Sequence, residues 1–231
     1  MLPGVDLPLP RSRDHSRLTG GSIGRFTKSW PVKNYARHQI IIQPGNELDY
    51  LYLVKSGFVR QFDISSHGDE HVLWYGRPGD IFATPRVFDK GYNNQHFFDA
   101  FSDCQLRVIE ADKFSGYIEN NTRALVQLTK YLAADRETAE MRLQALAEPK
   151  ARGKILRIME FLVHRFGVSK RKNQIRVRLP LTHQDIANFI GLTRETVSHE
   201  LNKLRQAGVV SYHNADISID TAKLAEQLEN T

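Results

Sequence analysis

The sequence predicts an α+β chain in three successive parts: a sandwich or barrel of short strands, one long helix, and a helical unit closed by a small sheet. Three observations carry this expectation. Between residues 21 and 115, short apolar or alternating runs are cut by Gly, Pro and Asp turns. From Ser115 to Leu146 there is no proline, and apolar residues recur at three- and four-residue intervals. Beyond residue 150, helical patterns meet at a glycine and run on into strand-like text. At 231 residues the chain also exceeds the usual size of a single domain, so more than one core is expected.

The elements follow in order. Residues 1–20 hold three prolines and clustered charge and lack the apolar stretch of a secretory leader, so they read as a flexible tail of a cytoplasmic protein. Residues 21–114 form the β part, with strands at HQIIIQ, YLYLVKSGFVRQFDI, HVLWYG and QLRVIEA. Residues 115–148 read as one helix of about eight turns, roughly 45 Å long. Its apolar stripe of Leu125, Leu128, Leu132, Ala139 and Leu143 is longer than a small β domain covers. A parallel helix from a second copy would cover it, which predicts a homodimer with those residues in the seam.

Residues 149–231 form the last part. Pro149 closes the long helix, and the next helix buries Ile155, Ile158, Phe161, Leu162 and Phe166. SKRKNQ reads as a charged turn and IRVRLPL as a strand with one basic side. Thr182 and Asp185 have capping-box spacing before a first short helix, Gly191 marks a turn, Thr193 caps a second helix, Gly208 stops it, and two short strands follow around Asn214.

Charge and composition restrict the function. Lys and Arg balance Asp and Glu at 18 against 18 over residues 1–149 but reach 14 against 8 over residues 150–231, so the whole net charge of +6 lies in the last third. A surplus concentrated in that way attracts a polyanion. No apolar run approaches the roughly 18 residues of a membrane span. Cys104 is the only cysteine, which excludes an internal disulfide, a Cys-x-x-Cys pair and an iron–sulfur cluster held by four cysteines of one chain. No Ser-His-Asp set, phosphate-binding P-loop, Gly-rich dinucleotide motif or tight His-x-His spacing is evident, so an enzyme is not expected and no metal site is assigned.

Two short helices joined at IGLT, with Ile186, Ala187 and Ile190 facing Val197 and Leu201, make a helix-turn-helix, and the flanking strands make it winged. The second helix opens with polar residues on the face opposite its apolar stripe. Arg194 suits the O6 and N7 acceptors of guanine and Glu195 the amino group of cytosine, while Ser198 reaches a base edge or phosphate. His199 offers donor and acceptor when neutral and a phosphate contact when charged. Thr182, Gln184, Thr193, Lys203 and Arg205 are expected on the DNA backbone. The competing function is a signalling module that senses a small molecule and whose winged helix contacts protein.

The segment LTHQDIANFIGLTRETVSHELNKLRQAGVV resembles the DNA-binding region of the Crp/Fnr superfamily of bacterial transcription regulators, with T-x-x-(D/E)-I-(A/G) before the turn and (S/T)-R-E-T-V after it. LYLVKSGFVRQFD and PGDIFATPRVF resemble the family's β-roll, a double-stranded jelly roll. The resemblance implies a homodimer on double-stranded DNA, a long dimerisation helix, a two-fold-related site with recognition helices about 34 Å apart, and RNA polymerase as a further partner. It also implies an effector pocket. Where cyclic-AMP-binding members carry Gly-Glu and Arg-Ser, this chain has Ala83-Thr84 and Asn94-Gln95, so the cyclic phosphate loses its guanidinium partner and cyclic AMP is not expected. Thr84, Arg86, Asn94 and Gln95 are the residues assigned to that pocket, and haem held by His67, His71 or His96 stays open. His199 stands where many members carry Arg.

Overall fold

The computed structural model describes residues 17–171, 173–213 and 216–230. Their elements run α1 (Gly21–Thr27), β1 (Val32–Tyr35), β2 (Ile40–Ile42), β3 (Tyr50–Ser56), β4 (Val59–Ile64), β5 (Glu70–Gly76), β6 (Ile81–Phe82), α2 (Pro85–Phe88), β7 (Phe97–Ala100), β8 (Cys104–Glu110), α3 (Ala111–Glu119) and α4 (Thr122–Ala147). The chain continues through α5 (Ala151–Phe166), β9 (Gly167–Arg171), β10 (Gln174–Val177), α6 (His183–Ile190), α7 (Arg194–Gln206), β11 (Val210–His213), β12 (Asp216–Asp220) and α8 (Thr221–Glu229). Two compact units divide between Asp135 and Arg136, inside α4.

In the first unit, two four-stranded antiparallel sheets of order β1-β8-β3-β6 and β2-β7-β4-β5 share one core. This interleaved order is the double-stranded jelly roll, in which successive strands alternate between sheets except at the β4–β5 hairpin. Leu51, Leu53, Ile81 and Leu106 from one sheet meet Ile42, Val59, Phe98 and Ala100 from the other, and Phe82 stacks on Phe98 at 5.1 Å. Gly57 turns β3 into β4 at φ +77°, and a Cβ there would lie 2.2 Å from the Asp103 carbonyl oxygen, so both backbone conformation and space select glycine. Across the second sheet Arg60 is buried and donates Nε and Nη2 to the two Asp99 oxygens at 3.1 and 2.7 Å and Nη1 to Glu70 at 2.5 Å, tying β4 to β7 and β5.

Several expectations need correction. The expected tail of residues 1–20 lies outside the described residues up to 16, but Leu18 is fully buried and its N–H donates to the Gly79 carbonyl at 2.8 Å, so the end of that stretch belongs to the fold. The single helix expected over 115–148 is two. Asn120 ends α3, and the Asn121 side chain accepts from the Ala124 N–H at 2.9 Å, so a cap starts α4 where the apolar period alone reads as continuous. SKRKNQ is not a bare turn: residues 169–171 belong to β9 and Gln174 opens β10, which pair antiparallel, while residue 172 lies outside the described residues. The second unit closes with a sheet of order β11-β12-β10-β9 and with α8, capped by Asp220. Of the turn expected around Asn214, residues 214 and 215 lie outside the described residues.

The inner face of α4 corrects the expected seam. Ala124, Leu128 and Tyr131, at i, i+4 and i+7, enter the jelly-roll core, with Leu128 only 1% exposed. Leu128 is thus spent within its own chain. Leu125 and Leu143 stand 41% and 61% exposed, Ala139 is exposed, and Leu132 is half-buried.

Candidate nucleic-acid interface

The helix-turn-helix is built by local sequence chemistry. Thr182 Oγ1 accepts from the Asp185 N–H at 3.1 Å and Asp185 Oδ2 accepts from the Thr182 N–H at 2.7 Å, a reciprocal box that satisfies two otherwise orphaned donors and fixes the start of α6. Gly191 ends α6 in the left-handed region at φ 66°, and Thr193 Oγ1 accepts from the Thr196 N–H at 3.2 Å to start α7. Ile186, Ala187 and Ile190 are buried on α6, as are Val197, Leu201 and Leu204 on α7. Arg142 of α4 donates to the Phe189 carbonyl at 3.1 and 3.2 Å and lies over its ring, supplying a cation to the C-terminal turn of α6.

With that face buried, the first turn of α7 points outward. Arg194, Glu195 and His199 are exposed, and among the described residues none of the three is taken up in a hydrogen bond or ion pair. Ser198 is half-buried and lies one turn beyond Arg194 on the same side. Its Oγ is 2.8 Å from Nδ1 of His183, whose Nε2 is 3.4 Å from the Tyr212 hydroxyl on β11. Burial, followed by the charge of Arg194, lowers the His183 pKa below its ordinary 6.5, while burial pushes the Tyr212 hydroxyl up to about 12. Sequence reading missed His183 and Tyr212, because only the fold brings residues 15 and 29 positions apart to one ring.

The residues expected on the DNA backbone divide. Thr182 and Thr193 spend their hydroxyls on caps, and Gln184 donates to Asn188 at 2.7 Å across one turn. Lys203 needs correction as an available cation: its Nζ donates to Glu200 at 2.8 Å, and Glu200 is buried with Arg152 3.6 Å away. Arg205 is exposed and carries no such partner among the described residues. On the small sheet, Arg176 is exposed and pairs with Asp216 at 2.6 Å, and Arg178, just past the end of β10, is exposed.

The effector-type cavity of the jelly roll measures about 180 Å³ and is walled by Trp74, Phe82, Tyr92 and Phe98, with Gln61, Thr84, Asn94 and Asp135 as polar groups. Of the four residues expected there, Thr84 and Asn94 line it. Asn94 is buried and clamps its own loop, donating to the carbonyls of Gln43 and His96 and accepting from the His96 N–H. Arg86 instead pairs with Asp112 at 3.3 Å, and Gln95 is exposed beside Asn93. Ala83 holds φ +65°, a left-handed conformation natural to the glycine of the cyclic-nucleotide pattern. The lining contains the Asp135 carboxylate and no cation, so a cyclic nucleotide's phosphate would face a like charge, and the residues present do not fit that group. His67 and His71 are exposed and His96 is 2.8 Å from Asp63; none of them lines this cavity.

Family comparisons bear on both units. Residues 156–227 match the Crp-like helix-turn-helix domain and residues 32–121 the cyclic nucleotide-binding domain. The chain is 29% identical over 203 residues to the anaerobic regulatory protein of Aggregatibacter actinomycetemcomitans, covering 85% of this chain and 75% of that one. It is 24% identical to the cAMP-activated global transcriptional regulator CRP of Pasteurella multocida, covering 84% and 92%. Among solved structures it is similar to FixK2 from Bradyrhizobium japonicum, with a TM-score of 0.72 at 21% identity over 87% of this chain and 96% of that one. Jelly roll, long helix and capped helix-turn-helix, matched along both units, place this chain in the Crp/Fnr superfamily of DNA-binding transcription regulators.

Proposed function

We propose that two copies pair along the exposed stripe of α4 and set their α7 helices into successive major grooves of a two-fold-related site, where Arg194 and Glu195 read base edges. The single observation that carries this reading is the first turn of α7: a guanidinium and a carboxylate stand exposed side by side, outside the hydrogen-bond and ion-pair networks of the described residues. Arg194 takes the guanine O6 and N7 acceptors and Glu195 the cytosine amino group. His199 lies beside them, and Ser198 presents its hydroxyl one turn further on. Arg205 supplies the phosphate contact that Lys203 is poorly placed to give. The regulator works in the cytoplasm, and RNA polymerase is its further partner, since transcription is controlled through the enzyme that performs it.

The test is a salt-titrated binding assay with specific and random duplexes. Arg194→Ala is expected to cost about 1–3 kcal/mol of discrimination at one base pair per half-site. Arg205→Ala is expected to weaken both duplexes alike and to reduce the salt slope by about one per protomer. Equal losses on specific and random DNA for both variants would show that Arg194 does not read a base.

A further inference from the structure

We propose that Arg142 is a positioning residue that fixes the angle between the dimerisation helix and the helix-turn-helix, and so sets which half-site spacing the regulator accepts. The inference rests on the reading of the chain as a dimer on a two-fold-related site. Its own observation is that one turn of α4 serves two directions. Leu143 stands exposed on the proposed seam, while Arg142, about 100° around the helix, reaches α6 of its own chain.

The contact is built to resist rotation. Phe189 lies in the last turn of α6, where a helix leaves its carbonyls without an intrahelical donor. Arg142 is half-buried and directs both Nε and Nη2 at the Phe189 carbonyl oxygen, at 3.2 and 3.1 Å. Its guanidinium carbon also lies 4.6 Å from the centroid of the Phe189 ring. A planar fork held at once by a carbonyl and a ring face has little freedom to swing, unlike the single point charge of an ammonium. The ring in turn packs on Phe161 of α5 at 5.4 Å, and Phe161 on Phe166 at 6.1 Å, so Arg142 grips the aromatic core of this unit.

The place of this bond along α4 matters as much as its geometry. Near Pro149, Lys154 donates to the Leu146 carbonyl at 3.1 Å and Arg157 to Glu148 at 3.4 Å, which fastens the start of α5 to the end of α4. Two helices fastened only beside their turn can still open and close. Arg142 adds a second fastening seven residues before Pro149, roughly 10 Å along the axis, and two points fix the angle. This stretch of α4 and the helix-turn-helix belong to the same compact unit. Since α6 and α7 share buried apolar faces, the angle held at Arg142 is also the direction in which α7 presents Arg194.

The consequence is read in the DNA spacer. One base pair inserted between half-sites rotates one of them by about 35° and moves it by about 3.4 Å relative to the other. A stiff pair then loses its simultaneous hold on both half-sites, which should lower affinity on the order of a hundredfold. With the Arg142 fastening removed, each helix-turn-helix can follow its half-site. The same insertion should then lower affinity by about tenfold or less, a difference of about one hydrogen bond to a charged group.

The test measures binding of the full-length protein to duplexes carrying two inverted copies of a half-site selected by the wild type from random DNA, with the spacer varied one base pair at a time. Arg142→Ala is expected to flatten the spacing profile while leaving the dimer and the base preference within each half-site unchanged. Arg142→Lys keeps the cation without the fork and is expected to give an intermediate profile; it decides the matter should Arg142→Ala fail to fold by circular dichroism. A wild-type profile in the folded alanine variant or in the lysine variant overturns the inference. So does a flat profile accompanied by an altered base preference, which would place the effect in the local fold of α7. A wild type without any spacing preference overturns the reading of a two-fold-related site, and the inference with it.

Discussion

Cys104 is the one thiol of the chain, and its surroundings decide its chemistry. It lies on β8, 4% exposed, and burial followed by the charges of Asp103 and Asp99 pushes its pKa up to about 11. The thiolate is the reactive form, so at pH 7.5 the native protein should react with a soluble thiol reagent at least about a hundredfold more slowly than the unfolded chain. Because the folded pKa is raised, the native rate should climb with pH toward about 11. Labelling of native protein at the unfolded rate would show an accessible thiol instead. Single residues also mark the limits of sequence reading. Arg194, Glu195 and His199 are legible because periodicity alone turns them away from the apolar stripe of α7. Lys203 is not, because its partner Glu200 occupies a buried position where the pattern offers no hint of an ion pair. Asn94 lines the cavity, yet its side chain holds the loop that carries it.

Among elements, those with a covalently local cause are the most legible. The boundary of α6 at Thr182 is written in four consecutive residues, and both halves of its capping box form. Thr182→Ala should therefore lower stability by about 1 kcal/mol. Chemical denaturation would read it as a lower midpoint at unchanged slope, and an unchanged midpoint would mean that the box contributes nothing net. Strands β3, β4, β5 and β8 stand out as alternating or apolar runs, whereas β6 and β7 are short and are defined by their neighbours across the two sheets. The break between α3 and α4 escaped the period because Leu125 and Leu128 continue the spacing across it, and only the cap made by Asn121 marks the restart. Strand β10 is legible in the alternation of IRVRLPL, whereas β9 escaped because its Lys- and Arg-containing run without apolar alternation carries little strand signal.

The whole-molecule expectation is a dimer, and α4 shows how its two faces divide the labour. Leu125 and Leu143 are eighteen residues apart, five turns at 3.6 residues per turn, so they project along one line of the helix with Leu132 and Ala139 close to it. That line is apolar and exposed at both ends, whereas the line through Ala124, Leu128 and Tyr131 is filled by the jelly roll. Substitutions on the two lines should therefore have opposite signatures. Leu125→Glu with Leu143→Glu should leave the thermal transition of the jelly roll nearly unchanged, yield monomers by sedimentation, and remove most specific DNA affinity, because two half-sites are no longer bound together. Leu128→Ala should cost about 2–5 kcal/mol of stability, the price of a cavity in a packed core, and change dimerisation only as far as it unfolds the chain. If the double glutamate variant sedimented as a dimer at micromolar concentration, the seam would lie elsewhere on the molecule, and the spacing of the two recognition helices would have to be set by a different surface.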